Sequence, residues 1–216
     1  IPIDRMADPA RSICRERRPM KSRIRIAALT LVLGMLIVSA ADAQPRWQLK
    51  VKPMEPGVVA LFDVLNQGTN YWYFPFEVKN TTDKPLDVLL TVKAFTDTNK
   101  SYVNGFYPEA LKKVQRVVGV RLRSMRDMRG TIKAGETWTG VAIFKRVDPV
   151  MDRITFRILG LEDVLVTIKG VTYVEIRGLD VTYKQIGDEY FPWEDPIEYV
   201  SKKWKVLKQR TRVPRR

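Results

Sequence analysis

The feature that most constrains the fold is a strict alternation of apolar side chains with other residues in three separate stretches of the chain. Successive side chains of a β-strand point to opposite faces, so a period of two places each apolar set on one face. We therefore expect three strands that share one core, with Glu77, Lys93, Arg153 and Arg157 facing water. The apolar positions are Trp72, Phe74, Phe76 and Val78; Val88, Leu90, Val92 and Ala94; and Ile154, Phe156 and Ile158.

Turn signals separate these stretches from further short apolar runs. The cluster from Asn80 to Pro85 lies between the first two alternations and predicts that they form a hairpin. Pro75 lacks a backbone N–H, so we expect it at a sheet edge or a bulge. About seven to nine short strands with turns at this spacing indicate a β-sandwich or a barrel.

A single change of period interrupts the strand pattern. Pro108 and Glu109 suit the first turn of a helix, and Leu111, Val114 and Val118 follow at helical spacing. We predict one short amphipathic helix that Gly119 ends, followed by a basic loop that extends to residue 130.

Two motifs stand out, namely the turn that contains Asn80, Asp83 and Pro85, and the turn and strand that contain Ala134, Gly135, Glu136, Gly140 and Phe144. Both resemble motifs of uncharacterised exported bacterial proteins with an immunoglobulin-like β-sandwich. The resemblance covers roughly residues 71–161 and implies export and an immunoglobulin-like β-sandwich with one inserted short helix. Its motifs describe turns and strands, so it implies no catalytic residue.

The N-terminal region has the parts of a secretory signal peptide. Three basic residues follow Met20, a fifteen-residue apolar stretch covers 26–40, and Ala41-Asp42-Ala43 matches a small-x-small cleavage site. The alternative is an uncleaved anchor, but about 20 apolar residues are needed to span a bilayer. We expect a protein exported to the periplasm or the extracellular space after cleavage near Ala43.

This interpretation divides the chain into four parts. Residues 1–19 are an upstream extension, 20–43 the signal peptide, 44–201 the β-sandwich domain and 202–216 a basic C-terminal tail.

The residue types that are missing exclude several kinds of enzyme. The chain has no histidine, and its only cysteine is Cys14, ahead of the signal peptide. Serine–histidine triads, cysteine–histidine pairs and zinc sites with these ligands are thereby excluded, and phosphate-binding glycine motifs are absent. Carboxylates remain, in the pairs Asp148 with Asp152, Glu162 with Asp163, Asp188 with Glu189, and Glu194 with Asp195. Sequence neighbours rarely flank one scissile bond, so we expect no enzyme, no metal and no cofactor.

Positive charge is concentrated in two segments. The tail carries eight basic residues and no acidic one: Lys202, Lys203, Lys205, Lys208, Arg210, Arg212, Arg215 and Arg216. A second patch carries seven basic residues against one aspartate: Lys112, Lys113, Arg116, Arg121, Arg123, Arg126 and Arg129. Such segments are typical of contact with anionic surfaces.

The function predicted from these observations is an exported binding or structural module of the cell envelope. Its partner is another envelope protein, an anionic polymer or a membrane surface, whereas nucleic acid is not expected as the physiological partner. Two alternatives remain open, namely a carbohydrate-binding module with exposed aromatic residues and a carboxylate-based hydrolase. Trp72 and Trp138 alternate with apolar neighbours, which favours burial over sugar stacking, and residues 190–193 form the most prominent aromatic cluster.

The signal peptide leads to a direct prediction. The mature protein is expected to begin at Gln44 because cleavage follows Ala43. N-terminal sequencing of the exported protein tests this, and a retained Met20 would instead support the anchor.

Overall fold

The computed structural model describes residues 44–212 except 64, 66, 169–170 and 186–195, with the backbone alone at 44–46, 167–168, 171 and 208–212. The predicted upstream extension, signal peptide and 190–193 cluster lie outside these residues. The described part is mostly β-structure with one helix, as predicted.

Thirteen strands and one helix follow one another along the described chain. The strands are β1 Gln44–Pro53, β2 Gly57–Phe62, β3 Gly68–Asn80, β4 Leu86–Leu89, β5 Thr91–Thr96, β6 Ser101–Val103, β7 Arg123–Ser124, β8 Arg129–Ile132, β9 Thr137–Lys145, β10 Arg153–Leu159, β11 Glu162–Ile168, β12 Val171–Gln185 and β13 Ile197–Arg212; the helix is α1 Pro108–Val118. The count exceeds the predicted seven to nine because β4, β6, β7 and β8 have only two to four residues each, too few for a sequence period.

The helix α1 begins and ends where the sequence predicts. Pro108 lies in its first turn, where a missing N–H costs no hydrogen bond. Gly119 ends it in the left-handed conformation (φ 74°), and its N–H bonds to the carbonyl of Gln115. In the part of the chain that the structure describes, no helix has the length and hydropathy needed to cross a bilayer.

The strand β1 connects the two parts of a large mixed sheet of eleven strands. Residues 44–48 pair with β11, whereas residues 49–53 pair with β3. One part contains β2, β3, β7 and β9, and the other contains β5, β6, β10, β11, β12 and β13. The strands β4 and β8 form a separate two-stranded sheet.

Side chains from both parts of the large sheet meet in one core. Phe74 of β3 stacks on Phe156 of β10, with ring centroids 4.4 Å apart and planes 2° from parallel. Phe144 and Tyr183 also contact Phe156. All three sequence alternations contribute to this core, as predicted.

The strand β3 is buried on both of its faces. Its second face packs Tyr71 and Tyr73 in a smaller cluster with Ala110 and Val114 of α1. The helix therefore covers the outer side of the β3 part, where a sheet with a hydrophobic outer face requires a second layer.

The predicted hairpin between the first two alternations is wrong. The strand β3 pairs with β1, β2 and β9, while β4 pairs with β8 and β5 pairs with β10 and β6. The turn after β3 leads the chain away because the buried amide of Asn80 donates to the carbonyls of Lys84 (2.7 Å) and Ile132 (3.1 Å). These bonds hold the turn against the β8 segment, so the chain does not fold back on β3.

Pro75 lies inside β3, which is paired on both sides, and not at the expected sheet edge or bulge. On one edge of β3, residues 76–80 pair with β1 and residues 68–73 pair with β2. Pro75 lies between these two ladders, and its carbonyl accepts a hydrogen bond from Met54 N–H. No strand requires an N–H at this point.

The C-terminal basic segment is not a free tail over residues 202–212. These residues belong to β13, which pairs with β12 over nearly its whole length. Backbone hydrogen bonds of this ladder hold the segment in place. Its apolar residues also form contacts, which a count of basic residues does not reveal.

The core packing predicts the effect of one truncation. Phe156→Ala removes a fully buried ring that contacts aromatic residues from three other strands, so it should lower the free energy of unfolding by about 3–5 kcal/mol. Phe62→Ala is the matched control, because that ring is 65% exposed and should change stability by no more than about 0.5 kcal/mol. Chemical denaturation measures both. Equal stability of the two variants would contradict the assigned core.

Candidate functional site

The last strand, β13, is the candidate binding element because it presents different chemistry on its two faces. Residues 202 and 204 pair with Val181 and Leu179, whose side chains point into the core. Lys203 and Lys205 pair with Asp180 and Gly178 and therefore point to the opposite, outer face. Each face has to be considered by itself.

The outer face of this part of the sheet is basic. Five exposed cations from four neighbouring strands share it, and we call this set the outer basic face. Its members are Lys93 on β5, Arg153 on β10, Lys184 on β12, and Lys203 and Lys205 on β13. Among the described residues, none of the five forms an ion pair.

One acidic residue of this face is already neutralised. Asp180 accepts two hydrogen bonds from the guanidinium of Arg157, at 2.6 and 2.7 Å. The same guanidinium lies 4.5 Å from the Phe95 ring centroid. Arg157 is consequently half-buried rather than fully exposed to water as the alternation predicts, and Asp180 offers little attraction to the surrounding lysines. Glu198 of β13 pairs with Lys184 across the ladder and adds one exposed carboxylate to this face. The five cations outnumber it, so the outer basic face keeps a net positive charge.

The inner face of β13 borders a groove beside β1, which we call the β1–β13 cleft. The Lys202 ammonium crosses it and donates a hydrogen bond to the carbonyl of Val51 (2.7 Å). One cavity of about 490 Å³ and another of about 330 Å³ both include Lys202 in their walls. The larger is also lined by Pro53, Met54, Glu55, Tyr183, Ile197 and Tyr199.

The walls of the β1–β13 cleft are partly apolar and partly charged, with Glu55 in the larger cavity and Lys50 in the smaller one. Tyr183 is buried, and its hydroxyl donates to the carbonyl of Met54 (3.1 Å). Burial lowers the pKa of the Lys202 ammonium, and the nearby Lys50 lowers it further. A negative group beside Lys202 would stabilise its charged form, so the smaller cavity favours an anionic group.

The predicted tail residues are separated by this arrangement. Lys203 and Lys205 lie on the outer basic face, whereas Lys202 lies in the cleft. For Lys208, Arg210 and Arg212 the structure describes the backbone within β13, and Arg215 and Arg216 lie outside the described residues. The predicted tail residues thus do not form one cluster.

The second basic patch is largely engaged in contacts within the protein. Lys113 donates to the carbonyl of Ala60 (2.7 Å), and Lys112 pairs with Glu109 at 3.0 Å. Arg123 and Arg126 lie over aromatic rings, and the Arg129 Nε donates to a backbone carbonyl. Arg116 and Arg121 remain at the C-terminal end of α1, beside an open depression. Of the seven cations, only Lys112 and Arg123 lie within 4.0 Å of a described carboxylate, so the patch keeps positive charge, but most of its side chains are held by contacts within the protein.

Two of the carboxylate candidates, Asp148 and Glu162, have structural roles, whereas Asp188, Glu189, Glu194 and Asp195 lie outside the described residues. Asp148 is buried, and its pKa is held low by hydrogen bonds from Lys100 (2.8 Å) and Thr98 (2.7 Å). Glu162 accepts a hydrogen bond from Gln48 (2.8 Å), and its other oxygen lies 3.9 Å from Arg177 Nε, beyond hydrogen-bond distance. Within the described ranges no group of residues is arranged to hold a metal ion.

The aromatic residues singled out from the sequence are core residues. Trp72 and Trp138 are buried, as predicted. The Trp138 indole donates to Glu136 (2.8 Å), a contact that orients the ring along the turn before β9. Neither ring is available to stack on a sugar.

The two motifs of the sequence resemblance meet in space. Asn80 N–H donates to the carbonyl of Glu136 (3.0 Å), and Gly135 N–H donates to the carbonyl of Asn80 (2.9 Å). Gly135 has a positive φ of 74°, which other residues rarely adopt. Both motifs therefore fix a junction between β3, β8 and β9 and carry no chemistry.

Sequence reasoning missed most of the cleft. Tyr183, Met54 and Tyr199 come from three distant segments, which local patterns cannot bring together. A signal was nevertheless present in β13, where the apolar pairs Ile197/Tyr199 and Trp204/Val206 alternate in opposite phase. Such a break in phase indicates a bulge, and the ladder is irregular beside Thr182 and Tyr183.

Comparison with protein-family models, with curated proteins and with solved structures found no match to this chain. The functional assignment consequently depends on the geometry of the two faces of β13.

The environment of Glu162 predicts a pH-dependent stability. Burial raises the pKa of this carboxyl, whose side chain is 2% exposed. Because the pKa of Glu162 is higher in the folded protein than in the unfolded chain, the protonated carboxyl stabilises the fold below the unfolded-state pKa, near 4.5. This stability is lost as the pH rises through the pKa of the folded protein. Glu162→Gln should therefore gain stability relative to the wild type between about pH 4 and pH 7.

Urea denaturation at pH 4 and pH 7 measures this difference. Glu109→Gln, which alters an exposed carboxylate on α1, is the matched control. A Glu162→Gln variant that loses stability relative to the wild type as the pH rises would contradict the assigned environment.

Proposed function

We propose that this protein is an exported, non-enzymatic binding module of the cell envelope that contacts an anionic surface through its outer basic face. The observation that carries the proposal is the arrangement of five exposed cations across four adjacent strands, with Asp180 neutralised by Arg157. Phosphate or carboxylate groups spread over a membrane or polymer would meet several of these cations at once.

The regular spacing of side chains on a sheet supports an extended anionic surface as the partner. Neighbouring strands lie about 4.8 Å apart, and same-face residues along a strand about 6.6 Å apart. Cations on such a grid match a dispersed layer of negative charge better than one buried ligand. Each lysine or arginine near an anionic membrane contributes about 1 kcal/mol, so no deep pocket is needed.

The immunoglobulin-like β-sandwich is part of the proposal. Its support is the change of partner within β1, from β11 to β3, and the stacking of Phe74 on Phe156 between the two parts of the sheet. Predominantly antiparallel pairing around one core is typical of sandwiches. Export to the periplasm or the extracellular space is supported by the signal-peptide pattern that ends at Ala43.

The non-enzymatic character is supported by the roles of the described carboxylates. Asp148 is bound to Lys100, and Glu162 is buried beside Arg177. Burial of Trp72 and Trp138 likewise weakens the alternative of a carbohydrate-binding module.

Charge removal from the outer basic face tests the proposal. Four simultaneous substitutions, Lys93→Gln, Lys184→Gln, Lys203→Gln and Lys205→Gln, should weaken binding to anionic vesicles at least about a hundredfold, since each cation contributes about 1 kcal/mol. Co-sedimentation with anionic and neutral vesicles measures the affinity. Wild-type binding should also weaken as salt rises from 0.1 to 1 M, because the Debye length falls from about 10 to about 3 Å.

The control removes equal charge elsewhere. Lys79, Lys84, Lys133 and Lys145 are exposed and lie outside the outer basic face, so their replacement by glutamine should have a much smaller effect. Substitutions are preferable to deletion of residues 202–216, which would remove part of β13. Equal loss in both variants, or binding insensitive to salt, would contradict the proposal.

A further inference from the structure

The β1–β13 cleft is separate from the outer basic face and lies beside an open sheet edge. Among the described strands, only β12 pairs with β13. The second edge of this sixteen-residue strand therefore offers backbone groups to an added strand. An edge of this length is a template for pairing with another chain.

Apolar side chains lie exposed along the same edge. Tyr199 is 58% and Trp204 39% exposed, although both point to the inner face. Their neighbours on β12, Tyr183 and Leu179, are buried. At β13 the core therefore ends with aromatic side chains that are only partly covered, and the two cavities lie beside them.

The cleft also contains a cation that has only a backbone partner. The Lys202 ammonium donates to the carbonyl of Val51, and burial lowers its pKa. In the described part of the chain no carboxylate pairs with Lys202. A carboxylate brought into the cleft would form a charge-assisted hydrogen bond, which is stronger than a neutral one.

We propose that the β1–β13 cleft binds an extended, acidic segment of another protein. The segment adds to the open edge of β13 as a new strand, in the mode of β-strand addition. Alternate side chains of the segment enter the two cavities beside Tyr199 and Trp204, and one carboxylate bonds to Lys202.

Charge complementarity selects this occupant over a second copy of the chain. A copy of β13 would bring Lys202, Lys203 and Lys205 against the same residues, and like charges on adjacent strands destabilise pairing. An acidic strand would instead meet these cations together with Lys50 at the edge of the smaller cavity. The backbone edge supplies affinity, and the cavities and cations supply selectivity.

Three labelled decapeptides test the proposal with the purified full-length protein. The first alternates valine with glutamate but has glutamate in place of the central valine, so that its valine face carries one carboxylate for Lys202. The second has lysine in place of every glutamate of the first, and the third has the composition of the first with its valines and glutamates in separate blocks. Fluorescence anisotropy measures binding. The alternating acidic peptide should bind at least about tenfold more tightly than either of the others.

Matched variants locate the binding site. Trp204→Ala and Lys202→Gln should each weaken binding of the alternating acidic peptide at least about tenfold, while Phe62→Ala and Lys145→Gln should leave it unchanged. Tyr199→Ala provides a second cleft variant, and circular dichroism verifies that each variant folds. Lys93→Gln together with Lys184→Gln, which alters the outer basic face away from β13, should by contrast change vesicle binding far more than peptide binding.

Several results would overturn the proposal. Equal binding of the three peptides, or no binding of any, would show that the cleft does not select an acidic strand. Unchanged affinity in the folded Trp204→Ala and Tyr199→Ala variants would place the peptide elsewhere. A dimer that light scattering detects in the wild type, and that Trp204→Ala abolishes, would assign the edge to a second copy.

Discussion

The change of partner within β1 is the constraint on which the rest of the structure depends. Residues 44–48 belong to the β11 ladder and residues 49–53 to the β3 ladder, so one strand joins both parts of the large sheet. This connection sets the two parts around a common core, where Phe74 stacks on Phe156. Beside β1 the Lys202 side chain bonds to the Val51 carbonyl. The cleft is therefore a consequence of how the sheet is joined.

The two faces of β13 give one strand two kinds of surface. Its outward residues extend a positive grid over four strands, and its inward residues border the two cavities of the cleft. Edge strands are commonly protected by lysines against unwanted pairing, and the lysines of β13 would repel a second basic strand. The same charges attract negative groups, so protection against self-association and selection of an anionic partner have one physical origin.

Local patterns predicted the elements of this fold, whereas their pairing depended on distant contacts. Alternation placed Phe74, Phe156 and their neighbours in the core, and Gly119 ended the helix where expected. The predicted hairpin was wrong because the Asn80 side chain bonds to the Ile132 carbonyl, 52 residues further along the chain. No local sequence pattern reveals such a contact. The basic composition of residues 202–212 was interpreted as a tail because it concealed a strand. The apolar residues of this strand alternate in two different phases. A bulge lies between the two phases, and it is recognised only once the pairing with β12 is known.

Amide hydrogen exchange can show whether β13 carries the binding surface. Exchange is compared for the protein alone and with anionic vesicles, residue by residue over the helix, the second basic patch and β13. We expect added protection over residues 197–207 and in the neighbouring strands β10 and β12, with residues 108–130 unchanged. Protection confined to residues 108–130, with β13 exchanging as in the unbound protein, would show that the binding surface lies elsewhere.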